Sequence, residues 1–385
     1  MYQHSPKQHV KIVCTLGPAS TSPEVIEGVL RGGMDIARLN LAYGTLEEHS
    51  RTIADVRRMS QQLKLPVGIL LDLPGSKRRS GNLRAVFGEH LEYARSQQAD
   101  FVALSFLSSA QQIAGAKELL AEMNADIPVI AKIEQAPALN ESADMIEAAE
   151  GIMVARGDLA LQINIEKVPL AQKRLIREAN RCGKPVITAT QMLESMVRSP
   201  TPTRAEATDV ANAVLDGSDA VMLSEETAIG SYPVLAVEMM TKIISEAETA
   251  LPYEQLLRER WLDVLPEIND AVARAACQIA YQTGARAIIA FTTGGTTALR
   301  VAKYRPRSPI LAVTPSETMM RRLSLAWGIF PMLKPAPLSL EEVFQQAREV
   351  AVDTGVARTG DLIVVTAGLP LGVPGSTNML KVHSI

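Results

Sequence analysis

Eight short apolar runs, each ending in Gly, Pro or a charge, set the rhythm of the chain: His9–Leu16, Asp35–Leu41, Val67–Leu73, Phe101–Phe106, Ile127–Ile133, Gly151–Ala155, Pro185–Thr190 and Asp219–Leu223. Seven are separated from the next by a candidate amphipathic helix. Their starts recur every 25 to 35 residues or about that, enough for a strand, a helix and two short loops. Runs such as Val67-Gly68-Ile69-Leu70-Leu71 are almost continuously apolar, as a parallel sheet buried on both faces requires; a sheet with one wet face would alternate. Eight strand-helix units predict a TIM (β/α)8 barrel.

A long helical pattern follows, from about Pro233 to Arg260, and then Trp261-Leu262-Asp263-Val264-Leu265-Pro266, where a proline and a new helix start mark a boundary. The expected division is 1–260 for the barrel and 261–385 for a C-terminal open, mostly parallel α/β sheet domain. Its pattern predicts helices over Ile268–Thr283, Thr297–Tyr304, Ser316–Ala326 and Leu340–Thr354. The strands between and after them are Ala287–Thr293, Ile310–Val313, Gly328–Met332, Asp361–Thr366 and Met379–His383. Length agrees: 385 residues exceed the roughly 250 to 300 over which a single core grows.

Charge narrows the partners. With 39 basic and 42 acidic side chains the net charge is −3, which gives no bulk attraction to nucleic acid or an anionic membrane. The start of the chain, Met1-Tyr2-Gln3-His4-Ser5-Pro6-Lys7, has no apolar signal core, and no run reaches the roughly 18 residues of a membrane helix. A cytoplasmic enzyme acting on small molecules is expected. Cys14, Cys182 and Cys277 have no metal-ligand spacing and are read as reduced core thiols without chemistry.

The polar residues that end the runs supply the candidate chemistry: Arg38-Leu39-Asn40, Asp72, Lys132-Ile133-Glu134, Arg156-Gly157-Asp158, Thr190 and Glu225-Glu226. In a barrel these strand ends converge on one face. Glu134 and Asp158, on neighbouring strands, can share a hard cation such as Mg2+ (or Mn2+) and leave positions for substrate oxygens. Lys132, two residues before Glu134, points to the same side and can neutralise a transferring phosphoryl group or an enolate. Arg38 is a planar donor suited to phosphate, and the backbone of Ala155, Gly157 and Asp158 with the Thr190 hydroxyl can receive a carboxylate. The implied ligand is a small phosphorylated carboxylic acid. In the C-terminal domain Thr292-Thr293-Gly294-Gly295-Thr296-Thr297 lies between a strand and its helix, a candidate effector-phosphate loop or an ordinary capped turn.

Longer stretches resemble the pyruvate kinase family: Lys11 to Ser20, Ile133-Glu134, Gly151 to Leu159, Ala189 to Met196, Pro202 to Glu206 and Pro374 to Asn378. The resemblance implies that Lys132 sits at the phosphoryl group, Glu134 and Asp158 hold the divalent metal, Arg38 binds phosphate, and Thr190 with the Gly157-Asp158 backbone orients the carboxylate of phosphoenolpyruvate. It also implies ADP/ATP as the second substrate pair, a homotetramer and an allosteric phosphate site.

The departures are specific. Members usually carry a β-rich lid domain after the third strand, whereas here Asp72 to Gly81 runs through Asn82-Leu83-Arg84 into a helix over Ala85–Gln97, too little chain for a domain. The potassium ligands of the family become Asn40, Ala42, Asp72 and Leu73, two hydroxyls short, which argues against bound K+. Lys77 resembles the lysine of potassium-independent members, while Tyr43 replaces a usual His and Glu225 a usual Gly. Three readings follow: phosphoryl transfer between phosphoenolpyruvate and ADP, impaired by the missing lid; metal-dependent enolate chemistry on pyruvate or oxaloacetate without nucleotide; or a non-catalytic binding or assembly protein.

Overall fold

In a computed structural model, which describes residues 8–75, 82–259, 265–373 and 375–385, the eight runs form the strands of a closed parallel barrel. They are β1 (Lys11–Thr15), β2 (Ile36–Asn40), β3 (Gly68–Leu73), β4 (Phe101–Leu104), β5 (Val129–Ile133), β6 (Gly151–Ala155), β7 (Val186–Ala189) and β8 (Ala220–Leu223). Closure comes from β8 pairing with β1, Lys11 opposite Ala220 and Cys14 opposite Leu223. Nearly every strand residue is buried, because one side faces the barrel interior and the other the surrounding helices. Several helix starts are fixed by local chemistry. Thr45 with Glu48, and Thr203 with Glu206, form capping boxes at the helices Leu46–Leu63 and Arg204–Asp216.

The predicted helix from Pro233 to Arg260 is instead two, Pro233–Thr249 and Tyr253–Glu259. Pro252 has no N–H to continue the ladder and disfavours helical geometry at Leu251. The first compact unit, Val10–Thr249, ends at this break, and Ala250–Ile385 forms the second, to which His9 also belongs. The next described element after β3 is the helix Leu83–Ser96, whose first turn is capped by the Asn82 side chain accepting from the Ala85 N–H.

The second unit is a five-stranded sheet of β9 (Ala287–Phe291), β10 (Ile310–Thr314), β11 (Ile329–Leu333), β12 (Leu362–Gly368) and β13 (Thr377–Ser384), in the order β11-β10-β9-β12-β13. Four strands are parallel and β13 runs antiparallel to β12. Alternate residues feed two cores: Ile288, Ala290 and Val364 meet the helix Ile268–Thr283, whereas Ile289, Val313 and Val365 meet Val343, Ala347 and Val350 of the helix Leu340–Asp353. Among the described residues no helix is long and apolar enough to cross a membrane. All three cysteines are free; Cys14 and Cys277 are buried as expected, but Cys182, at the end of a helix, is exposed rather than part of a core.

Candidate active site

The polar strand ends converge on Asp72, at the end of β3 and 1% exposed. Arg38, in β2, grips one carboxylate oxygen with Nε at 3.0 Å and Nη2 at 2.7 Å, while its Nη1 donates to Thr15 Oγ1 at 2.7 Å. The other oxygen accepts from Ser105 Oγ at 3.1 Å and Lys132 Nζ at 3.3 Å, and Lys132 also donates to Ser105 Oγ at 2.7 Å. Four strands thus meet at one buried carboxylate. Burial alone would raise the Asp72 carboxyl, but the Arg38 guanidinium and then the Lys132 ammonium outweigh it and hold it below the usual range.

Glu134, just past β5, is 1% exposed, and its two oxygens differ. Oε1 accepts the backbone N–H of Phe106, a residue held at a φ of 59°. Oε2 lies 3.3 Å from the Lys132 ammonium but without hydrogen-bond geometry, and has no hydrogen-bond partner among the described residues. Burial pushes the Glu134 carboxyl up; Lys132 and the Phe106 N–H pull it back, and the charges of Asp158 and Asp72 push it up further. A buried carboxylate oxygen with no donor among the described residues, close enough to the exposed Asp158 carboxylate to feel its charge, suits a hard cation. Among the described residues no group of three or more His, Cys, Asp or Glu is placed to hold a metal, so a cation here would draw its remaining ligands from substrate and water.

The Arg156-Gly157-Asp158 segment opens a short helix, Arg156–Ala160, starting at the end of β6. Gly157 N–H donates to Thr190 Oγ1 at 2.9 Å, and that hydroxyl donates to Ala189 O at 2.6 Å. Thr190 and Gln191 both have left-handed backbone, φ 71° and 56°, a conformation disfavoured for residues with a Cβ and most of all for the β-branched threonine. Arg156 does not pair with Asp158. It turns towards the backbone after β7 and towards Asp209 on the helix Arg204–Asp216.

Two members of the former cation site stay together, since Asn40 and Asp72 are partners in the β2–β3 register. Asn40 accepts from the Ala42 N–H, Ala42 is exposed, and Leu73 is fully buried. Lys77 lies outside the described residues. Glu225 is exposed, whereas Glu226 is buried and accepts the N–H groups of Leu193 and Ser224. In the second unit Thr292, Thr293, Gly294, Thr296 and Thr297 line a cavity with Lys334. Gly295 caps the helix Thr296–Lys303 at a φ of 83°, and Thr297 Oγ1 lies 2.6 Å from Thr377 Oγ1. Ser105 and Thr15 were not singled out in the sequence. Their only signal is a lone hydroxyl closing an apolar run, as in Leu104-Ser105-Phe106.

Comparison with known proteins finds matches to both units of the chain. A family model described as "Pyruvate kinase, barrel domain" matches residues 7–89 and 87–237, and one described as "Pyruvate kinase, alpha/beta domain" matches 270–383. The pyruvate kinases of Staphylococcus aureus strains USA300 and NCTC 8325 / PS 47 are each 36% identical, covering 97% of this chain and 80% of theirs. Those alignments span 468 positions against 385 residues here, so the relatives carry chain with no counterpart in this one, and the barrel match comes in two segments that meet at 87–89, within the helix that follows β3.

Proposed function

Since this chain belongs to the pyruvate kinase family, we propose that it transfers a phosphoryl group between phosphoenolpyruvate and ADP, giving pyruvate and ATP, at the C-terminal end of its barrel. The observation that carries the reading is the ring of Arg38, Lys132 and Glu134 around the buried Asp72. Arg38 uses three of its five N–H donors on Asp72 and Thr15, which leaves two for a phosphoryl oxygen. Lys132, steadied by Asp72 and Ser105, places its charge where negative charge builds on the transferring group. The Thr190 hydroxyl and the Gly157 N–H would exchange their present partners, Ala189 O and that hydroxyl, for the substrate's carboxylate, which the backbone of Ala155 and Asp158 would also orient. Glu134 and Asp158 would hold Mg2+ (or Mn2+), which when bound supplies Lewis-acid stabilisation of the phosphoryl and enolate oxygens.

Two departures shape this activity. Without a lid, fewer groups grip the nucleotide or exclude water, so turnover is slow and poorly saturable in ADP. Asp72 is already neutralised by two side-chain cations, so K+ is not required. The threonine-rich loop at 292–297 would take an effector phosphate, and the protein would act in the cytoplasm as a homotetramer.

A coupled assay with phosphoenolpyruvate, ADP and Mg2+, run beside solvent deuterium exchange into pyruvate, tests the reading. ATP formation that disappears in Lys132→Met supports it. Exchange without ATP formation leaves only the enolate half of the reaction, which the shortened chain after β3 would favour; neither activity rejects both.

A further inference from the structure

Among the described residues, Thr190 is the proposed site residue other than glycine whose backbone is in a disfavoured conformation, and the chain around it shows what keeps it there. Arg156, 8% exposed, donates from Nη2 to Thr190 O at 2.6 Å and from Nε to Ala189 O at 3.3 Å. The same guanidinium is held from behind: Nη1 meets Asp209 Oδ1 at 2.9 Å and Oδ2 at 2.7 Å, and Gln172 Oε1 at 3.3 Å. Gln172 is itself tied to Asp216 at 3.2 Å. Two helices behind the barrel wall, Val168–Cys182 and Arg204–Asp216, therefore hold the arginine that clasps two consecutive carbonyls of the β7 loop.

We infer that Asp209 is a positioning residue that acts through Arg156 to keep Thr190 left-handed, with its hydroxyl beside the Gly157 N–H. A planar guanidinium can serve a carboxylate on one edge and carbonyls on another, and the carboxylate fixes its plane. With Asp209 neutralised, Arg156 keeps its charge but loses the partner that orients it. The Thr190-Gln191 pair can then relax towards ordinary backbone, and that swings the hydroxyl away from Gly157. The catalytic consequence rests on the function proposed above; the structural one does not.

The test uses Asp209→Asn, with Arg156→Lys as a second variant that keeps the charge but cannot reach carboxylate and carbonyls together. The Thr190 methyl resonance, assigned through Thr190→Ser in methyl-labelled protein, reports the loop directly. It is expected to shift or broaden in both variants, with the other threonine methyls of the barrel unmoved. In the kinase assay, or in pyruvate proton exchange if only that is active, Asp209→Asn should lower kcat about tenfold or more with KM changed less than about threefold. Asp209→Asn added to Thr190→Ala should cost nothing further, because the hydroxyl it positions is gone. An unmoved Thr190 methyl, or losses that simply multiply, overturns the inference. A Thr190→Ala variant with full activity would remove the catalytic role of Thr190 while the methyl signal still decides whether Asp209 holds the loop.

Discussion

Replacing Arg38 by methionine removes both donors from one oxygen of a carboxylate that is 1% exposed, while keeping an apolar stem in place of the arginine's own. Taking one partner from a buried ion pair costs about 3 to 5 kcal/mol. Here Ser105 and Lys132 still serve the other oxygen, so the low end, about 3 kcal/mol, is expected at pH 7. The pH dependence gives the mechanism away. In the parent, Asp72 sits below its ordinary range, so its stabilisation is present above the unfolded-state value and is lost as pH falls through the folded one. In the variant, burial dominates and lifts the carboxyl, so ionised Asp72 costs stability at neutral pH and the deficit shrinks as acid protonates it. Urea unfolding of both proteins at pH 7 and pH 4.5 measures this, and Arg38→Met/Asp72→Asn should recover most of the loss. A deficit under about 1 kcal/mol at pH 7, or one equal at both pH values, would mean that Lys132 alone sustains the anion and that the pair does not organise the site.

Three further outcomes are expected. Mn2+ should raise the melting temperature of the parent but not of Glu134→Gln. Because the Glu134 carboxyl is raised, its ionisation destabilises the metal-free fold as pH rises through that value, so the Mn2+ effect should grow with pH over the same window; a flat response would exclude Glu134 as ligand. Gly75→Ala would place a Cβ 2.1 Å from Ser105 O and 2.7 Å from its carbonyl carbon, forcing backbone to move next to the Phe106 N–H that holds Glu134; a loss of about 1 to 3 kcal/mol with weaker Mn2+ binding is expected, and unchanged values for both would refute the coupling. At the other end of the barrel, burial pushes Asp35 from 3.8 to about 6 against the pull of Lys11, so stability should decline as pH rises from 4 to 7, by at most about 3 kcal/mol, and Asp35→Asn, which keeps an acceptor for the Ile12 N–H, should flatten that slope.

Barrel strands such as Gly68–Leu73 were legible because a sheet buried on both faces needs continuous apolar runs, and their polar ends then had to converge. Lys132 and Glu134 could be placed on one side by alternation alone. The helix break at Pro252 was not read, because the apolar spacing continues through Leu251 and Leu256 and the proline was given less weight than the period. Arg156 was legible only as part of the polar Arg156-Gly157-Asp158 strand end, with no partner of its own. Its actual partner, Asp209, lies 53 residues away on a helix whose local pattern marks it only as a polar position. Contacts of that kind depend on which helices flank a given strand end, and local periodicity carries no such information.

The pairing of β1 with β8 is completed by the Val10 N–H donating to the Glu248 carboxylate at 2.7 Å, a buried bond between residues 238 positions apart. During synthesis the first strand must therefore wait for β8 to leave the ribosome before either edge of the sheet is covered, and for the last barrel helix before the Val10 N–H finds its partner. Until then β1 and whichever strand is newest present unpaired backbone, open to pairing with other chains. Loop-closure entropy rises only slowly with length, so the delay is one of translation time rather than of equilibrium cost. A pause that holds β8 inside the ribosome would lengthen the life of an open, aggregation-prone sheet, whereas a pause after Glu248 has emerged would leave a barrel already able to close.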